Sequence, residues 1–164
     1  MDRLTKFRRP KSGPKPPRIN RILVPLDFSE KASESLHYAV AVAGATKAKI
    51  TLIHVMEPVY VSSDPGLTYL PQQISDQEKS HESQMRKIAE KSIPKGLFDK
   101  AIVRSGVPYH EITTAAKKLK AGLIVVTTHG RTGLSHVLMG STAERVVRHA
   151  HCPVLTIRRA NGGS

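Results

Sequence analysis

The chain has 164 residues, enough for one domain with a substantial core and too few for two sizeable ones. Apolar residues make up 39% and charged residues 24%, which excludes wholesale disorder, a collagen-like sequence and a coiled coil. Lys and Arg number 26 against 13 Asp and Glu, a formal charge of +13, so anionic partners such as phosphates, nucleic acid or acidic lipid are favoured. The single cysteine, Cys152, excludes an intramolecular disulfide and fits a reducing cytoplasm. No apolar run approaches the ~18 residues of a membrane span, so no membrane partner is expected.

Residues 1–18 concentrate the charge in Arg3, Lys6, Arg8, Arg9, Lys11, Lys15 and Arg18, interleaved with Pro10, Pro14, Pro16 and Pro17. Such a stretch has little to bury and reads as a disordered, basic, proline-rich tail. It lacks the apolar core of a secretory signal, and its prolines break any amphipathic transit helix. Weak, non-specific contact with nucleic acid through phosphates is within its chemistry.

The regular pattern starts after the tail. Ile22-Leu23-Val24, followed by Pro25-Leu26-Asp27, reads as a short buried strand running into a turn. Ala32, Leu36, Ala39, Val40 and Ala43 fall at helical spacing, with Ser29 as an N-cap and Gly44 as the stop. Residues 50–55 make a second strand. A long connection over residues 57–74, carrying Pro58, Pro65 and Pro71, reads as an excursion or a lid. Ser75-Asp76-Gln77-Glu78 is a capping box that opens a second helix with Met85, Ile88, Ala89 and Ser92 inward. Pro94 and Gly96 stop it.

Residues 100–104 form a less buried strand. Pro108 suits a first helical turn, and Ile112, Ala115, Ala116 and Leu119 give that helix its stripe, closed near Gly122. Leu123-Ile124-Val125-Val126 is the most apolar strand, buried on both faces. Ser141-Thr142-Ala143-Glu144 is a second capping box, with Ala143, Val146, Val147 and Ala150 inward. Val154-Leu155-Thr156-Ile157 is the last strand, with Pro153 suiting an edge position. This alternation predicts an α/β fold, a parallel sheet with helices on both faces. The strands at 22–26 and 123–127 should be central, with the ligand beyond their carboxyl ends. That places Asp27 beside the loop after Val126.

The loop after Val126 carries the chemistry: Thr127-Thr128-His129-Gly130-Arg131-Thr132-Gly133, then Gly140-Ser141-Thr142. Glycines admit a phosphate close to backbone amides, hydroxyls donate to it, and a helix N-terminus adds its dipole. Other constellations carry less. There is no Gly-x-x-x-x-Gly-Lys-Ser/Thr run. His149, His151 and Cys152 mark a helix end rather than a metal site. Asp27 has no partner for paired acid–base work, and no catalytic residue is assigned.

The sequence resembles the universal stress protein family over about residues 19–159. The resemblance rests on Ile-Leu-Val-Pro-Leu-Asp-Phe-Ser-Glu at the first strand, Ile-His-Val in the second, the His-Gly-Arg-Thr-Gly and Gly-Ser-Thr-Ala-Glu-Arg-Val segments, and the closing His-Cys-Pro-Val-Leu-Thr-Ile. It implies a Rossmann-like, doubly wound, five-stranded parallel sheet with strand order 3-2-1-4-5. It also implies a domain over residues 19–160, with residues 161–164 a flexible end. ATP-binding members carry Gly-x-x-Gly, nine residues, then Gly-Ser/Thr. Gly130, Gly140 and Ser141 keep that spacing, and Thr127 stands in place of the first glycine.

By this resemblance Asp27 accepts from the adenine amino group, with Pro25 and Leu26 on that edge and Val55 flanking the base. Val126 and Thr127 lie under the ribose. Gly130, Arg131, Gly140, Ser141 and Thr142 hold the phosphates. The implied cofactor is ATP with Mg2+ or Mn2+, hydrolysed slowly at most and used as a stress-response switch or assembly signal. The implied partner is a second copy, paired through Val154, Leu155, Thr156 and Ile157. The alternatives are a dimeric interaction module of the same family without nucleotide, and a basic nucleic-acid-associated protein.

Overall fold

The computed structural model describes residues 18–29, 32–57, 71–128 and 140–158. Strands β1 (Arg21–Pro25), β2 (Lys49–Met56), β3 (Phe98–Ser105), β4 (Leu123–Thr127) and β5 (Val154–Ile157) alternate with helices α1 (Ala32–Thr46), α2 (Pro71–Ser92), α3 (Pro108–Lys118) and α4 (Ser141–His149). All strand pairs are parallel and the order is β3-β2-β1-β4-β5, a doubly wound Rossmann-like α/β sheet. Chain direction across the sheet reverses between β1 and β4, which opens a crevice at their carboxyl ends.

Strand alternation sorts the core into two layers. Ile22, Val24, Leu52 and Val125 pack with Leu36, Ala39 and Ala43 of α1 and Met85 and Ala89 of α2. Leu23, Ile53 and Ile124 point the other way, onto Ile112, Ala115 and Ala116 of α3 and Val146 of α4. The β1 and β4 side chains are buried on both faces, as their unbroken apolar runs require. Removing a side chain such as Leu23, which is fully buried, would cost ~2–5 kcal/mol.

The helix ends depart from the sequence reading in instructive ways. α1 runs through Gly44 to Thr46 and is closed by Lys47 at φ 59°, with the amide of Ala48 donating to the Ala43 carbonyl at 3.2 Å. α3 closes the same way, with Lys120 at φ 52° and Ala121 N–H donating to Ala116 O at 2.9 Å, two residues before Gly122. Both are left-handed terminating turns in which lysine takes the usual glycine place. Each following alanine is buried, so tertiary packing outweighs the local steric cost.

Gly122 instead serves close approach: a Cβ there would sit 2.9 Å from the Arg18 carbonyl oxygen. α2 begins at Pro71, so Ser75 is an interior residue and does not cap that helix. Proline at the first helical position gives up only an amide that has no intrahelical partner. The third strand extends to Phe98–Ser105, beyond the expected 100–104. Val147 is 46% exposed rather than inward, because the nine-residue α4 buries only Ala143 and Val146.

Candidate functional site

The crevice holds a cavity of about 450 Å³. Its strand side consists of Pro25 at the end of β1 with Leu26 and Asp27 after it, Ile53 to Val55 of β2 with Glu57 just beyond, and Val126 and Thr127 of β4 with Thr128 just beyond. Its helix side consists of Val107 to Tyr109 and Ile112 from α3, and Gly140 to Ala143 with Arg145 from α4. Carboxylates therefore belong to the strand side and the guanidinium to the helix side.

On the strand side, Asp27 organises the turn after β1. Its Oδ1 accepts from the Ser29 amide at 3.0 Å and from the Ser29 hydroxyl at 2.6 Å. This is a local aspartate turn, and it takes Ser29 away from the N-cap role expected of it. Both bonds fall on Oδ1, and Asp27 lines the cavity. Between them Phe28 adopts φ 61°, a left-handed conformation with a real steric cost for a bulky residue.

Aromatic contacts hold Phe28 there. Its ring lies 4.5 Å from that of His54 and 5.3 Å from that of His81, centroid to centroid. His54 is buried and its Nδ1–H donates to the Leu26 carbonyl at 2.8 Å, tying β2 to the residue before Asp27. The Leu26 amide in turn donates to Ile53 O at 2.8 Å.

On the helix side the polypeptide closes on itself. The Gly140 amide donates to the Thr128 carbonyl at 2.6 Å, and the Thr128 amide donates to Ile157 O at 2.9 Å. The end of β4, the end of β5 and the start of α4 are thereby held together. Gly140 is the N-cap residue, at φ −64° and ψ 146°, and no side-chain hydrogen bond caps the helix. This corrects the capping-box reading of Ser141, which is the first helical residue. The first-turn amides of α4 have no intrahelical acceptors, and they adjoin the cavity. α3 also starts at the cavity without a side-chain cap, at Val107, with Pro108 in its first turn.

Of the residues expected to hold a nucleotide, Pro25, Leu26, Asp27, Val55, Val126, Thr127, Gly140, Ser141 and Thr142 line this one cavity. Gly130 and Arg131 lie outside the described residues, as do the tail through residue 17, residues 58–70 and the chain end after residue 158. Thr127 is the last residue of β4, in register with Ile157. The described non-glycine residues with positive φ are Phe28, Lys47 and Lys120, so the backbone at Thr127 does not require glycine.

β5 is an edge strand, with Val154, Leu155 and Thr156 half-buried and Ile157 buried. The Cys152 thiol is pushed up from its ordinary pKa by burial, partly offset by a backbone hydrogen bond. Among the described residues no group of three or more His, Cys, Asp or Glu side chains is placed to hold a metal ion. No described helix is long and apolar enough to cross a membrane.

Several residues that line the cavity escaped sequence reasoning, among them His54, Glu57, Tyr109 and Arg145. His54 had a signal, a polar residue inside an apolar strand one position before Val55. Arg145 also had one, since it lies four residues after Ser141 and therefore on the same helix face. Tyr109 had none, because its place depends on how α3 packs against α4.

Comparison with known proteins gives a consistent result. The family model described as "Universal stress protein family" matches residues 18–158. The universal stress protein YxiE of Bacillus subtilis is 32% identical over 147 residues, covering 85% of this chain and 99% of YxiE. A universal stress protein of Methanocaldococcus jannaschii is 32% identical over 142 residues, covering 85% of this chain and 82% of that protein. Among solved structures, the universal stress protein UspA from Lactobacillus plantarum superposes with a TM-score of 0.73 at 30% identity, covering 86% of this chain and 99% of UspA. Two more distant proteins share the fold, at 21% and 20% identity and TM-scores of 0.61 and 0.57; one is described in complex with cAMP and the other, from Arabidopsis thaliana, with AMP bound. The chain belongs to the universal stress protein family.

Proposed function

We propose that the cavity binds an adenine nucleotide, ATP in particular, and that binding is used as a stress-response switch or assembly signal. The observation that carries this reading is the polarity of the cavity. A carboxylate, Asp27, stands at the strand tips, and the first turn of α4 stands across from it without a side-chain cap. The exocyclic amine of adenine is a donor suited to the Asp27 carboxylate, whereas guanine presents a carbonyl at that place. Phosphates suit the α4 amides and the hydroxyls of Ser141 and Thr142. Pro25, Leu26 and Val55 supply an apolar edge for the base, and Val126 and Thr127 a floor for the ribose. Gly130 and Arg131 would add phosphate contacts.

Mg2+ or Mn2+ would enter with the nucleotide. Such ions keep several waters and lean on phosphate oxygens, so they need no cage of protein carboxylates. Hydrolysis is slow at most in this reading, because Asp27 serves the base rather than the γ-phosphate.

Assembly through β5 is the second element of the proposal. An edge strand offers unpaired backbone groups to a second copy. Thr128 donates to Ile157 O through both its amide and its hydroxyl, at 2.9 and 3.3 Å, so the nucleotide loop and the edge strand are mechanically linked. Identification of nucleotide released from the purified protein, with calorimetry against ATP, AMP and GTP in Mg2+, tests the first element. Binding of ATP in preference to GTP is expected, and absence of ATP binding would leave the dimeric interaction module. Sedimentation at micromolar concentration tests the second, with a dimer expected and a monomer refuting it.

A further inference from the structure

Arg145 is placed as a charged group of the cavity that the nucleotide motif does not include. It lies in the second turn of α4, and long helical side chains lean back toward the N-terminus. Its guanidinium carbon lies 5.4 Å from the centroid of the Tyr109 ring, and both residues line the cavity. One turn further along α4, His149 also meets Tyr109, with ring centroids 5.3 Å apart.

Among the described residues, the neighbouring carboxylates are engaged elsewhere. The neighbouring Glu144 pairs with Arg148 at 2.9 Å, and Glu111 faces His110 at 3.2 Å. Among the described residues no carboxylate pairs with Arg145. An aromatic face holds a guanidinium in position without neutralising it, and leaves its planar N–H edge free for an anion. The stack seats Arg145 against the first turn of α3, in the same cavity that Ser141 and Thr142 line.

We propose that Arg145, seated on Tyr109, reads the length of the phosphate chain and biases this site toward nucleoside di- and triphosphates over monophosphates and nucleosides. The inference rests on the nucleotide reading above and adds to it the class of ligand. The α4 amides can serve a single phosphate, as any helix N-terminus can. A separate fixed cation on the α3 side contributes to affinity only when further phosphate charge extends toward it.

The test is calorimetry of adenosine, AMP, ADP and ATP in Mg2+, with the unmodified protein, Arg145→Gln, Tyr109→Leu and the double variant. Arg145→Gln should weaken ATP and ADP by roughly tenfold, AMP by less, and adenosine not at all. Tyr109→Leu should lower the ATP-to-adenosine affinity ratio in the same direction. In the Arg145→Gln background it should lower that ratio no further, because the ring acts through the guanidinium. Arg145→Lys should restore part of the ATP affinity by charge alone. Equal losses for adenosine and ATP would show that Arg145 only braces α3 against α4, and no loss would show that the phosphates do not reach it; either overturns the inference while leaving nucleotide binding intact. Failure of the unmodified protein to bind any of the four ligands would overturn the nucleotide reading itself.

Discussion

The two sides of the cavity are built by different physics. The strand side is over-determined: Asp27 is held by two bonds to Ser29, Phe28 is locked in a costly backbone conformation by two histidine rings, and Leu26 is tied to β2 through both its amide and its carbonyl. The helix side, among the described residues, is held by fewer hydrogen bonds and more by packing. α4 has nine residues, a glycine N-cap and no side-chain cap, and is held by the Gly140–Thr128 bond, the burial of Ala143 and Val146 and the contacts of Arg145 and His149 with Tyr109. A rigid acceptor opposite an open row of donors suits a ligand that is recognised at one end and gripped at the other. The strand side should therefore govern which base is chosen, and the helix side how tightly anything binds.

The largest expected effect comes from closing the helix side. Gly140 has a backbone conformation open to any L-residue, so Gly140→Leu should fold, and its side chain should project into the space of the phosphates. ATP binding should fall by roughly a hundredfold or more, in line with the loss of contacts from bound charged groups. Calorimetry with a parallel thermal melt checks it; retained affinity would mean that the phosphates do not approach α4.

Asp27→Ala should act on choice rather than grip. Loss of the acceptor should reduce the ATP-over-GTP preference by roughly tenfold or more, since a polar group built for one partner discriminates strongly. It also removes both Ser29 bonds, so a stability loss of about 1–2 kcal/mol should accompany it. If ATP and GTP weaken equally, the assignment of the base to the strand side is wrong.

Ser141→Ala sharpens the comparison at smaller scale. An N-cap serine would cost ~0.5–2 kcal/mol on replacement. Ser141 is the first helical residue, so denaturant unfolding should change by no more than about 0.5 kcal/mol. ATP affinity should still fall by several-fold, about the worth of one hydroxyl hydrogen bond. A large stability loss with unchanged affinity would reverse that reading.

The smallest effect is expected at Thr127. It shares its strand face with Val125, which packs into the α1 and α2 layer, whereas much of the cavity lies over the α3 and α4 layer. Thr127 therefore starts from the α1 and α2 face, at the margin of the cavity that it lines. Thr127→Gly should leave ATP affinity nearly unchanged and cost at least ~0.5 kcal/mol of stability from a weakened strand. A marked rise in affinity would show that Thr127 crowds the site after all.

Much of this protein follows from local pattern alone. The strands β1, β4 and β5, the stripe of α3 and the sheet direction are legible because burial on two faces and helical periodicity leave direct marks in residue type. The candidate site is legible in part, because Asp27 at a strand tip and Gly140, Ser141 and Thr142 at a helix start are brought to one cavity by the sheet topology that the pattern predicts. The helix ends were not legible. Lys47 and Lys120 take left-handed turns that local preference assigns to glycine, and Ser141 has a capping signature that the Gly140–Thr128 bond overrides. The Tyr109–Arg145 stack joins residues thirty-six positions apart on separate helices, and the Phe28, His54 and His81 cluster joins a loop, a strand and a helix. Sequence determines what each segment can bury and which way it turns. Only the packing of α3 on α4, and of α2 over β2, decides which polar groups face one another, because those distances depend on the whole core and not on any residue's neighbours in the chain.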